Sequence, residues 1–390
     1  MASVHWAIQP VLALFVASSV LLTGAVERSP PSFVVDLDKP AYERWNSVID
    51  ANPDLGRDAP EIFKILTGNI NMSNDTWGIL FLMAEKIHKR LPAPFKEELQ
   101  GMADRAKMPI SLITLINLAY DLTAHCTSVV STDANGTIWH GRNLDYNATT
   151  YLEKYTVHVD FKRGGKVAYS GVTFAGFAGM LTAIKPHAFT FSSNERDVGS
   201  FLENLLEMMD PNSKFLMVLI REVLEEAKNF REAISKFSLA RMPAAIYVIL
   251  GGLSNNEGVV LTRNRTHVIH EFAINMQSDR WYVLQTNHDP WLGDPWYDNR
   301  REAGETAMNR TGRNNITVDS LYDVLSVPKT RNKYTVYSTV MSASHPEAIR
   351  TWIRNSTELI PPPPVRASAS NVVGRFGTFA AVLIVLSRNL

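Results

Sequence analysis

The 390-residue sequence holds a single cysteine, so no intrachain disulfide framework can exist. It lacks an excess of either charge: Lys+Arg and Asp+Glu are both 39, the formal net charge is zero and the pI is near 7.2. That balance excludes a strongly basic field of the kind that holds nucleic acid, and no nucleic-acid partner is expected. No internal repeat is visible. The apolar run near the start, Val11 to Ala25 (VLALFVASSVLLTGA), is too short for a comfortable membrane span. What remains is an ordinary globular composition, 45% hydrophobic and 9% aromatic, long enough for one large domain with a helical accessory region or for two domains.

The run Val11–Ala25 has the length of a signal peptide, with small residues Thr23 and Ala25 where a cleavage site would lie; a signal anchor is the alternative. Asn-x-Ser/Thr sequons occur at Asn71, Asn74, Asn135, Asn147, Asn264, Asn309, Asn315 and Asn355, which suits passage through the lumen of the secretory pathway. Asn71 and Asn74 are too close for both to be used, and Asn74, Asn309 and Asn315 are the expected glycosylation sites. A free thiol kept in an oxidising compartment is a thiol with a task.

From Val26 to His125 the reading is helical, with apolar residues at three- and four-residue spacing over Pro60–Leu66, Thr76–Leu91, Ala93–Lys107 and Ile110–Leu122. The helix Thr76–Leu91 joins Trp77-Gly78-Ile79-Leu80-Phe81-Leu82-Met83 to the basic His88, Lys89 and Arg90, a pattern that suits a core helix or one lying in a lipid interface. After residue 126 short strands dominate: Thr127–Thr132, Thr137–His140, Tyr155–Phe161, Lys166–Phe174, Gly179–Ile184 and Ala188–Ser193, then Ala245–Leu250, Gly258–Thr262, His267–Phe272 and Trp281–Thr286, and last Tyr334–Met341. Helices at Phe201–Met209, Lys214–Ala227, Phe230–Phe237, Arg300–Met308 and Val318–Leu325 come in blocks between them. Without βαβ alternation this is an α+β chain, a sandwich of antiparallel sheets with helices on the outer faces. The expected division is a signal peptide over 1–25, a helical segment over 26–125, a catalytic segment over 126–358, and a Pro-rich linker with an apolar tail over 359–390. The tail resembles a lipid-anchor signal imperfectly, because polar residues end it.

The chemistry centres on His125-Cys126-Thr127-Ser128-Val129-Val130, where the one cysteine heads a β-branched run. After a turn at Asn135-Gly136 the chain returns with Gly141-Arg142-Asn143-Leu144-Asp145, bringing an arginine and a carboxylate toward the thiol. His125 and His140 are the first candidates for a base. His125, however, adjoins the cysteine on a strand, so its side chain points to the opposite face. Cleavage of the His125–Cys126 bond offers another base: the freed α-amine, whose ordinary pKa near 8 lets it accept the proton of its own thiol. The thiol can make that cut itself by attacking the preceding carbonyl, and the chemistry needs no metal or cofactor.

Ordered blocks carry a resemblance: Cys126-Thr127-Ser128-Val129-Val130, His140-Gly141-Arg142-Asn143-Leu144-Asp145-Tyr146, Gly176-Phe177-Ala178-Gly179-Met180, Asn194-Glu195-Arg196, Thr262-Arg263-Asn264-Arg265, Trp281 to Asn287, Asp298-Asn299-Arg300-Arg301 and Thr335 to Ser342. Over about residues 35 to 356 the sequence resembles the acid amidase branch of the N-terminal nucleophile hydrolases, relatives of bile salt hydrolase and penicillin V acylase. The resemblance implies an αββα sandwich, self-cleavage at His125-Cys126, and an α/β heterodimer of the two fragments. It implies Cys126 as nucleophile, Arg142 and Asp145 as its orienting groups, Asn287 as oxyanion donor, Arg300 completing the cluster, and Glu195 as the carboxylate tied to acid-dependent self-cleavage. Read without it, Arg142–Asp145 is a surface pair, Asn287 a turn former, Arg300 a solvated helix-start cation and Glu195 an exposed acid. Part of that branch carries paired cysteines that this sequence lacks, and the sequence departs from the branch in His288 where tyrosine is usual, in the loop Pro290–Tyr297 and in the tail after Asn355.

The implied substrate is a lipid amide of a long fatty acid with a small amino alcohol, such as palmitoylethanolamide; N-acylsphingosine is the alternative head group. Phe174, Gly176, Phe177 and Met180 are expected to wall an acyl channel. A membrane surface is an expected partner through the helix Thr76–Leu91, with His88 charging in acid. Two other classes compete: a non-catalytic lipid carrier, and a papain-like protease, for which His140 and His158 lack the local signature.

Overall fold

The computed structural model describes residues 27–66, 74–119, 125–196, 198, 204, 207–208 and 210–354. The run Val11–Ala25, the sequons at Asn71 and Asn355, most of the expected helix Phe201–Met209, the side chain of Asn74 and the tail lie outside the described residues.

The chain opens with β1 (Ser32–Asp36), α1 (Asn46–Asp50), α2 (Leu55–Leu66), α3 (Asn74–Arg90), α4 (Phe95–Ala106) and α5 (Ile110–Ala119). These helices follow the apolar periodicity. α2 buries Leu55, Ala59, Ile62, Phe63 and Leu66 on one face, and begins before Pro60, which sits inside the helix. α4 stops at Lys107, whose left-handed backbone (φ 54°) returns its N–H to Ala103 and Asp104, and Pro109 follows. β2 (His125–Thr132), β3 (Ile138–Asp145), α6 (Thr149–Tyr155), β4 (Thr156–Arg163), β5 (Lys166–Phe174), β6 (Thr182–Lys185) and β7 (Phe189–Glu195) come next. They are followed by α7 (Leu216–Glu226), α8 (Phe230–Leu239), β8 (Ile246–Gly251), β9 (Gly258–Arg263), β10 (Val268–Ala273) and β11 (Tyr282–Gln285), then α9 (Arg300–Thr311), α10 (Val318–Ser326), β12 (Thr335–Met341) and β13 (Arg350–Ile353).

Among the described residues the strands form two sheets, ordered β1-β4-β5-β6-β7-β8-β9-β10 and β11-β2-β3-β12-β13. Strand alternation shows how they stack. In β2, Val129 joins Leu284, Met308, Leu321 and Leu325 under α9 and α10, whereas Val130 joins Ile138, Tyr247, Ile249 and Val260 between the sheets. On the far side, Phe191 of β7 stacks on Phe237 of α8, with centroids 5.2 Å apart. The layers are therefore helix, sheet, sheet, helix.

Several expectations meet the structure here. The segment 26–125 is not wholly helical: β1 pairs parallel with β4, from Ser32↔His158 to Asp36↔Lys162, so the larger sheet is mixed rather than antiparallel. Five residues are too few for periodicity to reveal such a strand, and its partner is distant in sequence. β3 runs on through Gly141 to Asp145 instead of stopping at His140. In α3, Leu80 is buried core and Phe81 packs on Trp77 (5.6 Å), while Leu82 is the exposed apolar residue. His88 is also buried, its Nε2 3.0 Å from the Lys96 carbonyl, so it is not placed to meet lipid head groups.

Packing is continuous across the His125–Cys126 bond. Glu98 of α4, fully buried, accepts from Arg44, from Trp45 Nε1 (2.9 Å) and from both terminal nitrogens of Arg221 in α7. Arg221 stacks over Phe95 and Phe161 at 4.7 and 4.9 Å, so one ion pair joins the helical segment to the sheet-bearing one. Desolvation alone would raise the Glu98 carboxyl, but the Arg221 charge and these donors hold it low.

Candidate active site

β2 pairs antiparallel with β3 in the register His125↔Asp145, Cys126↔Leu144 and Ser128↔Arg142. Alternation sends His125 outward, exposed, and Cys126 inward, fully buried. β11 lies on the other side of β2, with Gln285↔Ser128, so the residues just past β11 fall beside the start of β2. Asn287 is one of them.

Three atoms of Cys126 meet three different side chains. The backbone nitrogen donates to Asn287 Oδ1 at 2.8 Å, the carbonyl oxygen accepts from Arg300 Nη1 at 2.9 Å, and Sγ accepts from Arg142 Nη2 at 3.1 Å. Asn287 Nδ2 donates to the Glu195 carbonyl at 2.9 Å, which ties the site to the end of β7. Arg300, the first residue of α9, donates from Nε and Nη2 to Asp298 at 2.8 and 2.6 Å and from Nη2 to Asn287 Oδ1 at 3.0 Å. Asp145 Oδ2 lies 3.5 Å from Arg300 Nη1 and accepts from Asn332 Nδ2 at 2.9 Å. Arg142 is held from its other side, where Nη1 donates to Asn194 Oδ1 (2.7 Å) and to the Ser193 carbonyl (2.8 Å). Arg142, Asp145, Asn287 and Arg300 are all buried, so neither arginine is the solvated group a plainer reading gave.

Two arginines thus face two aspartates in a site closed to water. Burial pushes the Cys126 thiol up to about 11, despite the opposing charge of Arg142. Burial also raises the Asp145 carboxyl, with Arg300 opposing. Asp298 behaves otherwise: burial would raise it, but hydrogen bonds from His288 and Arg300 and the charge of Arg300 outweigh that and hold it well below the carboxylate range. His140 is fully buried, and burial with the Arg142 charge lowers it to about 3; a neutral ring two positions from Arg142 is no strong base. His140 therefore does not supply the base that this thiol needs.

Sequence reasoning assigned no role to Asp298, Asn194 or Asn332. Asp298 has a signal, an acid two residues ahead of an arginine at a helix start, and Asn194 stands in the block Asn194-Glu195-Arg196; Asn332 has none. His288, where tyrosine was expected, lies with Nε2 3.3 Å from Asp298 Oδ2.

The four residues expected to wall an acyl channel lie in different surroundings. Phe174 packs on Tyr146 (6.3 Å) and Tyr337 (6.2 Å). Gly176, in a left-handed turn (φ 88°), borders a small apolar cavity with Leu55, Ile62, Met108, Ile113, Leu152 and Ala175. Phe177 and Met180 do not line it. They are buried core, and Gly179 admits Phe177 and Met217 where a Cβ would fall 2.6 and 2.8 Å from their atoms. Asn309 and Asn315 are exposed.

A profile of the linear amide C–N hydrolases, choloylglycine hydrolase family, matches residues 126–297. The chain is 36% identical over 349 residues to the N-acylethanolamine-hydrolyzing acid amidase of Mus musculus, covering 88% of this chain and 94% of that protein. It is 33% identical over 354 residues to the acid ceramidase of Pan troglodytes, covering 85% of this chain and 88% of that one. A solved structure of the Caenorhabditis elegans N-acylethanolamine-hydrolyzing acid amidase ortholog superposes with a TM-score of 0.54 at 36% identity, over 59% of this chain and 100% of that one. The layered α+β fold with Cys126 at the head of an inner strand is the N-terminal nucleophile hydrolase fold, and the chain belongs to the choloylglycine hydrolase family of linear amide C–N hydrolases, in the branch of N-acylethanolamine-hydrolyzing acid amidase and acid ceramidase.

Proposed function

We propose that this amide hydrolase cleaves N-acylethanolamines, such as palmitoylethanolamide, to free fatty acid and ethanolamine, and that it is activated by cutting its own His125–Cys126 bond. The observation that carries the reading is the convergence on Cys126, whose nitrogen, carbonyl and sulfur are each held by a different buried side chain. In the intact chain Sγ attacks the His125 carbonyl, the acyl group passes from nitrogen to sulfur as the nitrogen takes up a proton, and water hydrolyses the thioester. The freed amine stays on Asn287 Oδ1. In its neutral form it takes the thiol proton, the thiolate forms beside Arg142, and sulfur attacks the lipid amide carbonyl. The Asn287 amide is the donor proposed for the oxyanion; its Nδ2 carries two hydrogens, so the bond to the Glu195 carbonyl does not bar that role. The ammonium returns its proton to the leaving ethanolamine nitrogen, and water releases the fatty acid from sulfur. Arg300 and Asp145 fix the cysteine backbone, and Glu195 is proposed to confer acid dependence on the first cut.

The two fragments, 26–125 and 126–358, are proposed to remain a heterodimer, which the buried Glu98–Arg221 pair supports. The same reading places the protein in the lysosomal lumen, glycosylated at Asn74, Asn309 and Asn315 and associated with membrane surfaces. Among the described residues no helix is long and apolar enough to cross a membrane, and Leu82 is the apolar residue α3 offers to a surface. The acid ceramidase likeness favours N-acylsphingosine as the second reading. Fatty acid released from a panel of acylethanolamides and ceramides at acid pH decides: the proposal expects acylethanolamides to turn over faster, and Cys126→Ala to abolish release. Release that survives Cys126→Ala sinks it, and a preference for ceramides selects the second reading. No turnover of any amide would leave a lipid carrier.

A further inference from the structure

A row of polar side chains crosses the space between the two sheets, where a sandwich ordinarily packs apolar groups. Three strands supply it at period two: Cys126 and Ser128 from β2, His140 and Arg142 from β3, and Thr190, Ser192 and Asn194 from β7. Apart from Thr190, at 1% exposure, all are fully buried. The hydrogen bonds run without a break. Arg142 Nη1 and Ser128 Oγ both donate to Asn194 Oδ1, at 2.7 and 2.9 Å, and Asn194 Nδ2 donates to the carbonyls of Gln285 and Thr286 at 2.9 and 3.1 Å. Ser128 Oγ is 2.9 Å from Ser192 Oγ, Ser192 Oγ is 2.9 Å from His140 Nε2, and His140 Nδ1 is 2.9 Å from Thr190 Oγ1.

Hydrogen counting fixes the direction of the chain. Ser128 has given its only hydrogen to Asn194, so toward Ser192 it accepts. Ser192 has then given its hydrogen too, and must accept from His140 Nε2–H. Nδ1 faces the Thr190 hydroxyl, whose hydrogen also reaches the Gly251 carbonyl at 3.3 Å; of the two arrangements, the one that keeps the ring neutral has Nε2 protonated and Nδ1 accepting from Thr190. Burial and the Arg142 charge keep it from gaining a second proton.

We propose that His140 is a positioning residue that acts on Cys126 through Ser192, Ser128, Asn194 and Arg142. By anchoring the far end of the row, it aims the Asn194 oxygen at Arg142 Nη1, which leaves Nη2 pointed at Sγ 3.1 Å away. The role in turnover rests on the amidase reading above; the role toward the sulfur does not.

The test is the pH profile of Cys126 alkylation by iodoacetamide on the isolated protein, measured beside kcat and KM. Ser192→Ala and His140→Phe should slow alkylation at pH 6 about tenfold and move its midpoint upward, the scale of one lost positioning hydrogen bond. kcat should fall by a similar factor with KM nearly unchanged. His140→Gln, whose amide can donate where Nε2–H does, should recover most of the loss. In an Arg142→Lys background Ser192→Ala should add almost nothing, because its path to the sulfur is already cut. An unmoved alkylation profile in Ser192→Ala, the mildest variant, overturns the proposal, as does an undiminished Ser192→Ala effect in the Arg142→Lys background. Turnover surviving Cys126→Ala would instead defeat the amidase reading and leave the alkylation result standing.

Discussion

Asp298→Asn removes the charge facing Arg300 while keeping the side chain's shape. Arg300 is 7% exposed and gives Asp298 two hydrogen bonds of 2.8 and 2.6 Å; without that carboxylate its nearest anion is Asp145, 3.5 Å away. Leaving one member of a buried ion pair uncompensated costs about 3–5 kcal/mol. The partial compensation from Asp145 and the surviving amide oxygen place this variant near about 3 kcal/mol. Because Arg300 also holds the Cys126 carbonyl and Asn287, turnover should fall as well, by about a hundredfold if some 2.7 kcal/mol of the loss reaches the site. Urea unfolding of the wild type and the variant gives the stability difference, and its pH dependence gives the sign. The folded Asp298 lies below its unfolded value, so its contribution is present above the ordinary carboxylate pKa of about 3.9 and is lost as pH falls toward the folded value. The gap between wild type and Asp298→Asn should be flat from about pH 5 to 7 and narrow below about pH 4. A gap under about 1 kcal/mol, or one that widens in acid, refutes the reasoning.

Asp145 has the opposite sign. Burial raises it, so its ionisation opposes folding, and the stability it allows in acid is lost as pH rises through its folded value; Asp145→Asn should flatten the loss of wild-type stability as pH rises above about 4, the ordinary carboxylate value, as read by urea midpoints. Glu98→Gln should cost about 3–5 kcal/mol and, in self-cleaved protein, let the fragments separate at lower urea in size-exclusion chromatography, since Arg221 would be buried without its anion. Leu80→Ser should cost about 2–5 kcal/mol by cavity formation and polar burial, while Leu82→Ser should stay within about 0.5 kcal/mol and weaken liposome binding. Retained liposome binding in Leu82→Ser would remove α3 from the membrane proposal.

Much of this architecture was legible in the residues. β5, Lys166–Phe174, coincides with its expected span, because a β-branched run bounded by Gly164-Gly165 leaves little choice. The αββα class followed from blocks of strands and helices without alternation, together with the family likeness. β1 was hidden because its order comes from pairing with β4, and no local signal encodes a partner so far away. At the site, Cys126, Arg142 and Asp145 could be brought together through a hairpin, since β2 and β3 adjoin in sequence. Asn287 and Arg300 came only from the likeness, because β11 adjoins β2 in the sheet but lies far from it in sequence, so no local signal brings them together. Large side chains beside glycines fit a channel wall and a close-packed core equally well, so Phe177 and Met180 carry no local signal that separates the two; Gly179 here lets Phe177 and Met217 approach closely. The polar row Ser128, His140, Arg142, Ser192 and Asn194 is written at period two, but only the stacking of the two sheets shows that its members face one another.

The central claim is that cutting one bond makes the nucleophile. Purified full-length protein, held at acid pH and sampled over time, can be followed by mass spectrometry and by fatty acid release from palmitoylethanolamide. The account predicts a fragment beginning at Cys126 whose appearance rises in step with activity, and neither fragment nor activity in Cys126→Ala. Full activity from protein whose 125–126 bond is intact would contradict it.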